Sequence, residues 1–290
     1  MTELHLGTCS WKYPSWAGIL YSAEKDIDYL FEYSQKLNAV EVDRWFWSLF
    51  ERGAPRLPNP LDVLAYRRSV PDGFRFVVKA PNSITLTHQY RASKDAPLVG
   101  NPHFLCVDLF REFVDRIEAI RDALGPILLQ FEYLNRQKMP SEEVFRERLA
   151  AFVRQLPTGL QYGVETRNPK YLSEDFLSFL RDLAVIPVLI SGYWMPPLPR
   201  VLMEHRQILS TFPAVVVRLM GADRGAIEQK TGQRWNKIVD PHDEELDAVS
   251  REVTQLRATG VHPFLLVNNH YEGSAPLTIE RLCERLELRA

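Results

Sequence analysis

Cysteine is scarce in this chain of 290 residues: Cys9, Cys106 and Cys283 are the only three, and no CxxC pair occurs. So odd and scattered a set builds neither a disulfide framework nor a thiolate zinc site, and the cytoplasm is the expected location. Charge of one sign is also lacking. Lys plus Arg number 35 against 37 Asp plus Glu, a net charge of −2, so no global cationic field gathers DNA or an anionic membrane. No apolar run approaches the roughly 20 residues of a membrane span. The opening MTELHLGTCSW goes directly into a strand pattern, without the basic-then-apolar order of a signal peptide. The glycine motifs of nucleotide folds are missing too: no GxGxxG follows the first strand and no GxxxxGK[ST] occurs. Without HxH, HxD or HExxH, a divalent metal would have to be assembled from residues as scattered as Glu41, Glu165 and His270, and no cofactor is expected.

What is present is a repeating unit. A short apolar run ends on a polar or charged residue, and a helical stretch follows: FRFVVKA, PILLQF, LQYGVETR, AVVVRLM and PFLLVNNH are the clearest cases. Runs this apolar suit parallel strands buried on both faces. Eight strands are expected, at 4–9, 39–42, 74–79, 127–131, 162–165, 186–190, 215–220 and 264–268. Between them, residues 110–124 carry Phe110, Phe113, Val114, Ile117, Ile120 and Leu124 at helical spacing. Residues 141–156 do the same behind a Ser141 cap with Glu142 and Glu143 in the first turn. Ser173 opens a further helix, and 242–256 form another that Gly260 ends. About eight alternating units over a length near the roughly 250 residues of a (β/α)8 domain predict a TIM-like barrel, one domain over residues 1–290. Long loops follow strands one, three and seven, at 11–26, 81–102 and 221–241. All lie on the face where the strands end and can form a rim. The WMPPLP stretch at 194–199 reads as a stiff connector.

In such a barrel the C-terminal strand ends surround one mouth, where polar residues read as an active site. Lys79 ends the third strand, pre-placed to hold an anion or, if desolvated, to act as an amine base. Glu41 and Asp43 share a face of the second strand by period two, and Glu165 and Arg167 repeat the spacing on the fifth. Arg218 ends the seventh. The three cations suit a carboxylate or phosphate. The competing reading is an internal ion-pair network of Glu41, Glu165, Lys79, Arg167 and Arg218. Gln130 and Asn268 supply amides for hydroxyls or carbonyls, and Asn269 alternates away from the lumen. Trp11, Tyr13 and Trp16 can stack on a sugar or base, or simply pack their loop; Trp45 and Trp47 can line the mouth or plug it.

These segments also resemble a family: the YecE-like group, domain of unknown function 72, which has a TIM-like barrel. GTCSWKYPSWAG, NAVEVDRWFW, PDGFRFVVKAP, LGPILLQF, VETR, VVRLMG and VNN follow its motifs in order. Four positions depart from it: Asp43 where asparagine is usual, FEY after Gln130 where a double proline is usual, and Asn168 and Met220 where histidines are common. The resemblance implies the fold and the site but no reaction, and the missing histidines point away from histidine acid–base chemistry.

The function expected is therefore an enzyme for a small polar, anionic metabolite, of sugar or sugar-phosphate type. Lys79, Arg167 and Arg218 would hold the anion, Glu41 or Glu165 would move a proton, and Gln130, Asn268, Asp43 and Trp11 would complete the ligand contacts. Isomerisation, lysis and hydrolysis stay open. The alternatives are nucleic-acid binding or phosphodiester cleavage, and a non-catalytic ligand-binding barrel.

Overall fold

A computed structural model describes residues 1–49, 55–91, 93, 95–192 and 194–288. Eight parallel strands close on themselves in sequence order: β1 (His5–Thr8), β2 (Ala39–Val42), β3 (Arg75–Lys79), β4 (Leu124–Gln130), β5 (Tyr162–Glu165), β6 (Ile186–Ser191), β7 (Ala214–Leu219) and β8 (His262–Val267). Their residues are almost entirely buried, because helices cover the outer face and side chains fill the inner one. This is a (β/α)8 barrel with long loops over its C-terminal face. No helix among the described residues is long and apolar enough to cross a membrane.

The helices start where the sequence supplies caps. Ser141 Oγ accepts from the Val144 amide at the head of Glu142–Val153, and Ser173 Oγ from the Phe176 amide at the head of Glu174–Asp182. Asp243–Ala258 ends before Gly260, whose φ of +97° turns the chain into β8. One expectation fails. The pattern over 110–124 is not one helix: Val107–Arg116 stops, a 3-10 turn covers Glu118–Ala123, and Leu124 already belongs to β4. The tighter turn is anchored by Asp122, whose carboxylate accepts from Arg67 and whose carbonyl accepts from Arg75. That delivers Leu124 opposite Phe76 of β3. Apolar spacing could not show it, since a 3-10 turn and a helix bury nearly the same residues.

The seam between β1 and β2 is short, joining only Gly7 to Ala39 and Thr8 to Val40. Side chains lengthen it. The Asn38 amide accepts from Leu6 N–H and donates to the Leu4 carbonyl, while the Tyr33 hydroxyl accepts from Thr8 N–H and donates to the Ala39 carbonyl. Gly7 is obligatory there, because a Cβ would lie 1.9 Å from the Ala39 carbonyl oxygen.

The rim loops carry structure of their own. After β1, Pro14–Trp16 forms a 3-10 turn and buries Trp16. After β3, a short helix Asn82–Thr85 is tied to the β2 loop by Asn82 Oδ1, which accepts from the amides of Ser48 and Leu49; within 81–102, residues 92 and 94 lie outside the described set. After β7, the helix Arg224–Thr231 is pinned by Glu228, 3.1 Å from His270 Nε2.

Gly7→Ala is expected to destabilise the protein by about 3 kcal/mol, the upper end for forced overpacking, because the clash is with backbone. The urea midpoint measures it; an unchanged midpoint would refute the reading of this seam.

Candidate functional site

The barrel's upper layer is built from strand-end residues separated by up to 177 positions in sequence. Alternation places Glu41 above Ala39, Lys79 above Val77, Glu165 above Gly163 and Arg218 above Val216. The layer beneath is apolar. A Cβ on Gly163 would lie 3.0 Å from Leu128 and from Val188, so side chains from neighbouring strands close over it. The charges above therefore sit on a low-dielectric floor.

Arg218 is fully buried at the centre. Its Nε and Nη2 donate to the two oxygens of Glu41 at 2.7 and 2.8 Å, a bidentate fork. Its Nη1 donates to Glu165 and, at 3.3 Å, to Gln130 Oε1. Glu41 and Glu165 are fully buried as well. The outer oxygens carry two further cations: Lys79 Nζ lies 3.2 Å from Glu41 Oε1, and Arg167 Nε donates to Glu165 Oε1 at 2.7 Å. Lys79 also lies over the Phe46 ring, 5.3 Å from its centroid.

Burial works against the charge of Glu165, but Arg218, then Arg167 and Lys79, outweigh it and bring its carboxyl down to about 2. In Glu41 burial likewise opposes ionisation and is overcome by Arg218 and Lys79, leaving the carboxyl below its ordinary range. Burial also disfavours the Arg218 guanidinium charge, and Glu165 and Glu41 more than restore it. Asp43 behaves differently. It is half-buried at the mouth; burial raises its carboxyl, Lys79 opposes the rise and Glu41 adds to it, and the result stands above the ordinary value.

The structure thus brings Glu41, Lys79, Gln130, Glu165, Arg167 and Arg218 into one cluster, with Asp43 at its edge. The internal-network alternative is what links them. Three expectations need correction. Arg218 cannot meet a ligand from its sealed position, because Glu41, Glu165 and Gln130 surround it. Trp11 is buried, packs edge-on against Tyr66 at 5.0 Å, and its carbonyl accepts from the Tyr21 hydroxyl, so it holds its loop down. Asn268 spends its Oδ1 as a helix cap, accepting from His270 N–H at 2.9 Å and meeting His270 Nδ1 at 2.6 Å, which narrows its expected ligand contact to the Nδ2 donor. The metal set envisaged from Glu41, Glu165 and His270 does not converge, since both glutamates face Arg218 and His270 faces Glu228. Among the described residues no group of three His, Cys, Asp or Glu side chains is placed to hold a metal ion. Cys9 is buried, 3.8 Å from Met220 Sδ, and burial pushes its thiol up, away from a reactive thiolate.

Beside the cluster, on the β4–β5 side of the mouth, lies an open cleft of about 1230 Å³. Its inner wall is formed by Gln130 and Arg167, the same side chains that complete the buried network. Asn168 braces the wall, accepting from Leu134 N–H and donating to its carbonyl at 2.8 and 3.0 Å. Trp47, Tyr90, Tyr133 and Trp194 stand on the rim, and Arg136 and Lys170 add exposed cations. Sequence reasoning singled out Trp47 but missed the other three aromatics. Trp194 lies in the expected connector and Tyr133 in the FEY after Gln130; neither sits at a strand end.

Comparison with known proteins gives a consistent picture. The sequence model of the family described as "Protein of unknown function DUF72" matches residues 5–290. The UPF0759 protein YecE of Escherichia coli (strain K12) is 27% identical over 172 residues, which cover 59% of this chain and 51% of that protein. The chain spans about half the length of the curated relatives it matches. Among solved structures, a DUF72 family protein from Enterococcus faecalis V583 superposes with a TM-score of 0.71 at 20% identity, covering 99% of this chain and 97% of that one. One from Thermotoga maritima MSB8 gives 0.67 at 19%, covering 99% and 100%. At such identities the likeness is one of fold.

Two outcomes follow from the cluster. Arg218→Met should cost about 3–5 kcal/mol in urea unfolding, because it leaves two buried carboxylates without their partner. The depressed carboxyl of Glu165 contributes stability that is present above the ordinary carboxylate range and is lost as pH falls toward about 2. The thermal midpoint should therefore drop between pH 5 and pH 3, and drop less steeply in Glu165→Gln; parallel profiles would contradict the assignment.

Proposed function

The chain belongs to the DUF72 family of proteins of unknown function, and on that footing we propose that it is an enzyme binding a small polar anion, of sugar-phosphate type, at the C-terminal mouth of its barrel. The observation that carries this reading is where the charged cluster meets solvent. Gln130 and Arg167 belong to the buried network and also form the inner wall of the cleft. A ligand entering the cleft reaches a planar guanidinium anchored on Glu165 and an amide anchored on Arg218. Preorganised donors of this kind favour an anion without having to reorganise as it binds.

The roles divide by exposure. Arg167 and Lys79, both mostly buried but each with an accessible edge, hold the anion. Arg218, Glu41 and Glu165 position them. With its carboxyl near 2, Glu165 is too weak a base for efficient proton transfer at neutral pH, and Glu41 is biased the same way. Proton movement falls instead to Asp43, whose carboxyl is shifted toward neutrality and whose neighbour Lys79 would hold the ligand's charge. The partner is a metabolite and the reaction class is open among isomerisation, lysis and hydrolysis. Saturable binding without turnover would reduce the protein to a ligand-binding barrel.

Calorimetric titration with ribose 5-phosphate and glucose 6-phosphate at low salt tests the binding claim. Saturable binding is expected, weakened about 10-fold or more in Arg167→Ala and in Lys79→Met, as the loss of a charge-assisted hydrogen bond implies. Absence of binding by the wild-type protein would overturn the reading.

A further inference from the structure

The cleft is larger than a sugar phosphate requires. Its volume of about 1230 Å³ exceeds the roughly 300–1,000 Å³ of pockets that enclose drug-sized ligands. What remains is bordered by aromatic faces. Of the five large aromatic side chains exposed among the described residues, four line this one cleft: Trp47 at 59%, Tyr90 at 48%, Tyr133 at 59% and Trp194 at 97%. Concentration in one place distinguishes them from the scattered apolar residues of an ordinary surface.

Trp194 is the most informative of them. Its φ is +64°, a left-handed backbone that bulky side chains disfavour. The turn that carries it is closed by the Met195 N–H, which donates to the Gly192 carbonyl at 3.1 Å. Gly192 (φ +86°) packs so closely on the next strand's loop that a Cβ would lie 2.2 Å from the Gly221 carbonyl oxygen. The chain thus holds a tryptophan in a disfavoured conformation without burying it. Among the described residues the indole gains no burial that would offset this, which leaves a bound ligand as its natural partner.

The charges around these rings select the ligand. Arg167 lines the inner wall, and Arg136 and Lys170 stand exposed at the border. The two acidic lining residues are already neutralised, Glu132 by Lys138 and Glu142 by Arg146. Aromatic faces combined with a cationic inner wall match a flat heterocycle carrying a phosphate, and match a neutral oligosaccharide less well. Resting on the anion reading above, we infer that the ligand is a mononucleotide, its phosphate at Arg167 and its base against the rim aromatics with Trp194 as the outer face.

Titrations with inorganic phosphate, ribose 5-phosphate, adenosine and adenosine 5′-monophosphate, followed by calorimetry and by tryptophan fluorescence, separate this inference from the reading beneath it. The nucleotide should bind about 10-fold or more tightly than ribose 5-phosphate and quench tryptophan emission. Trp194→Ala should remove that advantage while leaving ribose 5-phosphate binding and the thermal midpoint unchanged, since the indole is exposed. Arg167→Ala should weaken both phosphorylated ligands. Equal affinity for the nucleotide and ribose 5-phosphate overturns the inference and leaves the anion reading standing. Binding of neither overturns both. Adenosine binding as tightly as its monophosphate removes the phosphate from Arg167 and overturns both. An oligothymidylate that binds more tightly than the nucleotide, with an affinity that falls steeply with salt, replaces the mononucleotide with a strand.

Discussion

A single guanidinium organises the mouth of this barrel. Arg218 is the last charged residue of β7, and its side chain crosses the lumen to carboxylates on β2 and β5, with Gln130 of β4 beside them. A buried arginine without such partners would carry a desolvation penalty of several kcal/mol, so the fork imposes conditions on four strands at once. Each must end at the right height, and each must turn the right face inward. The strand register meets both conditions: Glu41 pairs with Val77 of β3, Gln130 with Glu165, and Arg218 with Leu266 of β8. The apolar layer below makes the demand strict, because it offers no polar group to stand in for a missing partner.

The same arrangement divides the mouth into two chemically different parts. Toward the axis the charges are mutually satisfied and sealed. Toward β4 and β5 the network surfaces through Gln130 and Arg167 into a broad aromatic cleft. A fully exposed arginine would be mobile, and a fully buried one would be inaccessible. Arg167 lies between these limits, steadied from behind by Glu165 and reachable from the front. The carboxylates that look most like catalytic bases, Glu41 and Glu165, are fully buried and each is paired with two cations. Asp43, two residues beyond Glu41 and only half-buried, keeps a titratable carboxyl.

Much of the fold was legible from the chain alone. Buried parallel strands need long apolar runs, and those runs located all eight strands, with the largest displacement at the start of β4, where Leu124 precedes the expected Ile127. Helix starts were legible at Ser141 and Ser173 because capping is local chemistry. The break at Ile117 was not, because apolar spacing is blind to the difference between two kinds of turn. Within the site, the charged members were recognisable as strand-end residues. The cleft aromatics were not, since Tyr90, Tyr133 and Trp194 sit in loops whose paths depend on the elements they cross.

The sequence by itself determined the alternation of strand and helix, the barrel it implies and the list of charges gathered at its mouth, since these follow from residue type and period. Only the tertiary structure decided which charges face one another and which face solvent. That choice depends on strand height and lumen width across separations as large as the 177 positions between Glu41 and Arg218, and no local pattern encodes it. Arginines 167 and 218 look alike in the chain, each at a strand end. Burial makes one the keystone of the barrel and leaves the other with an edge in the cleft.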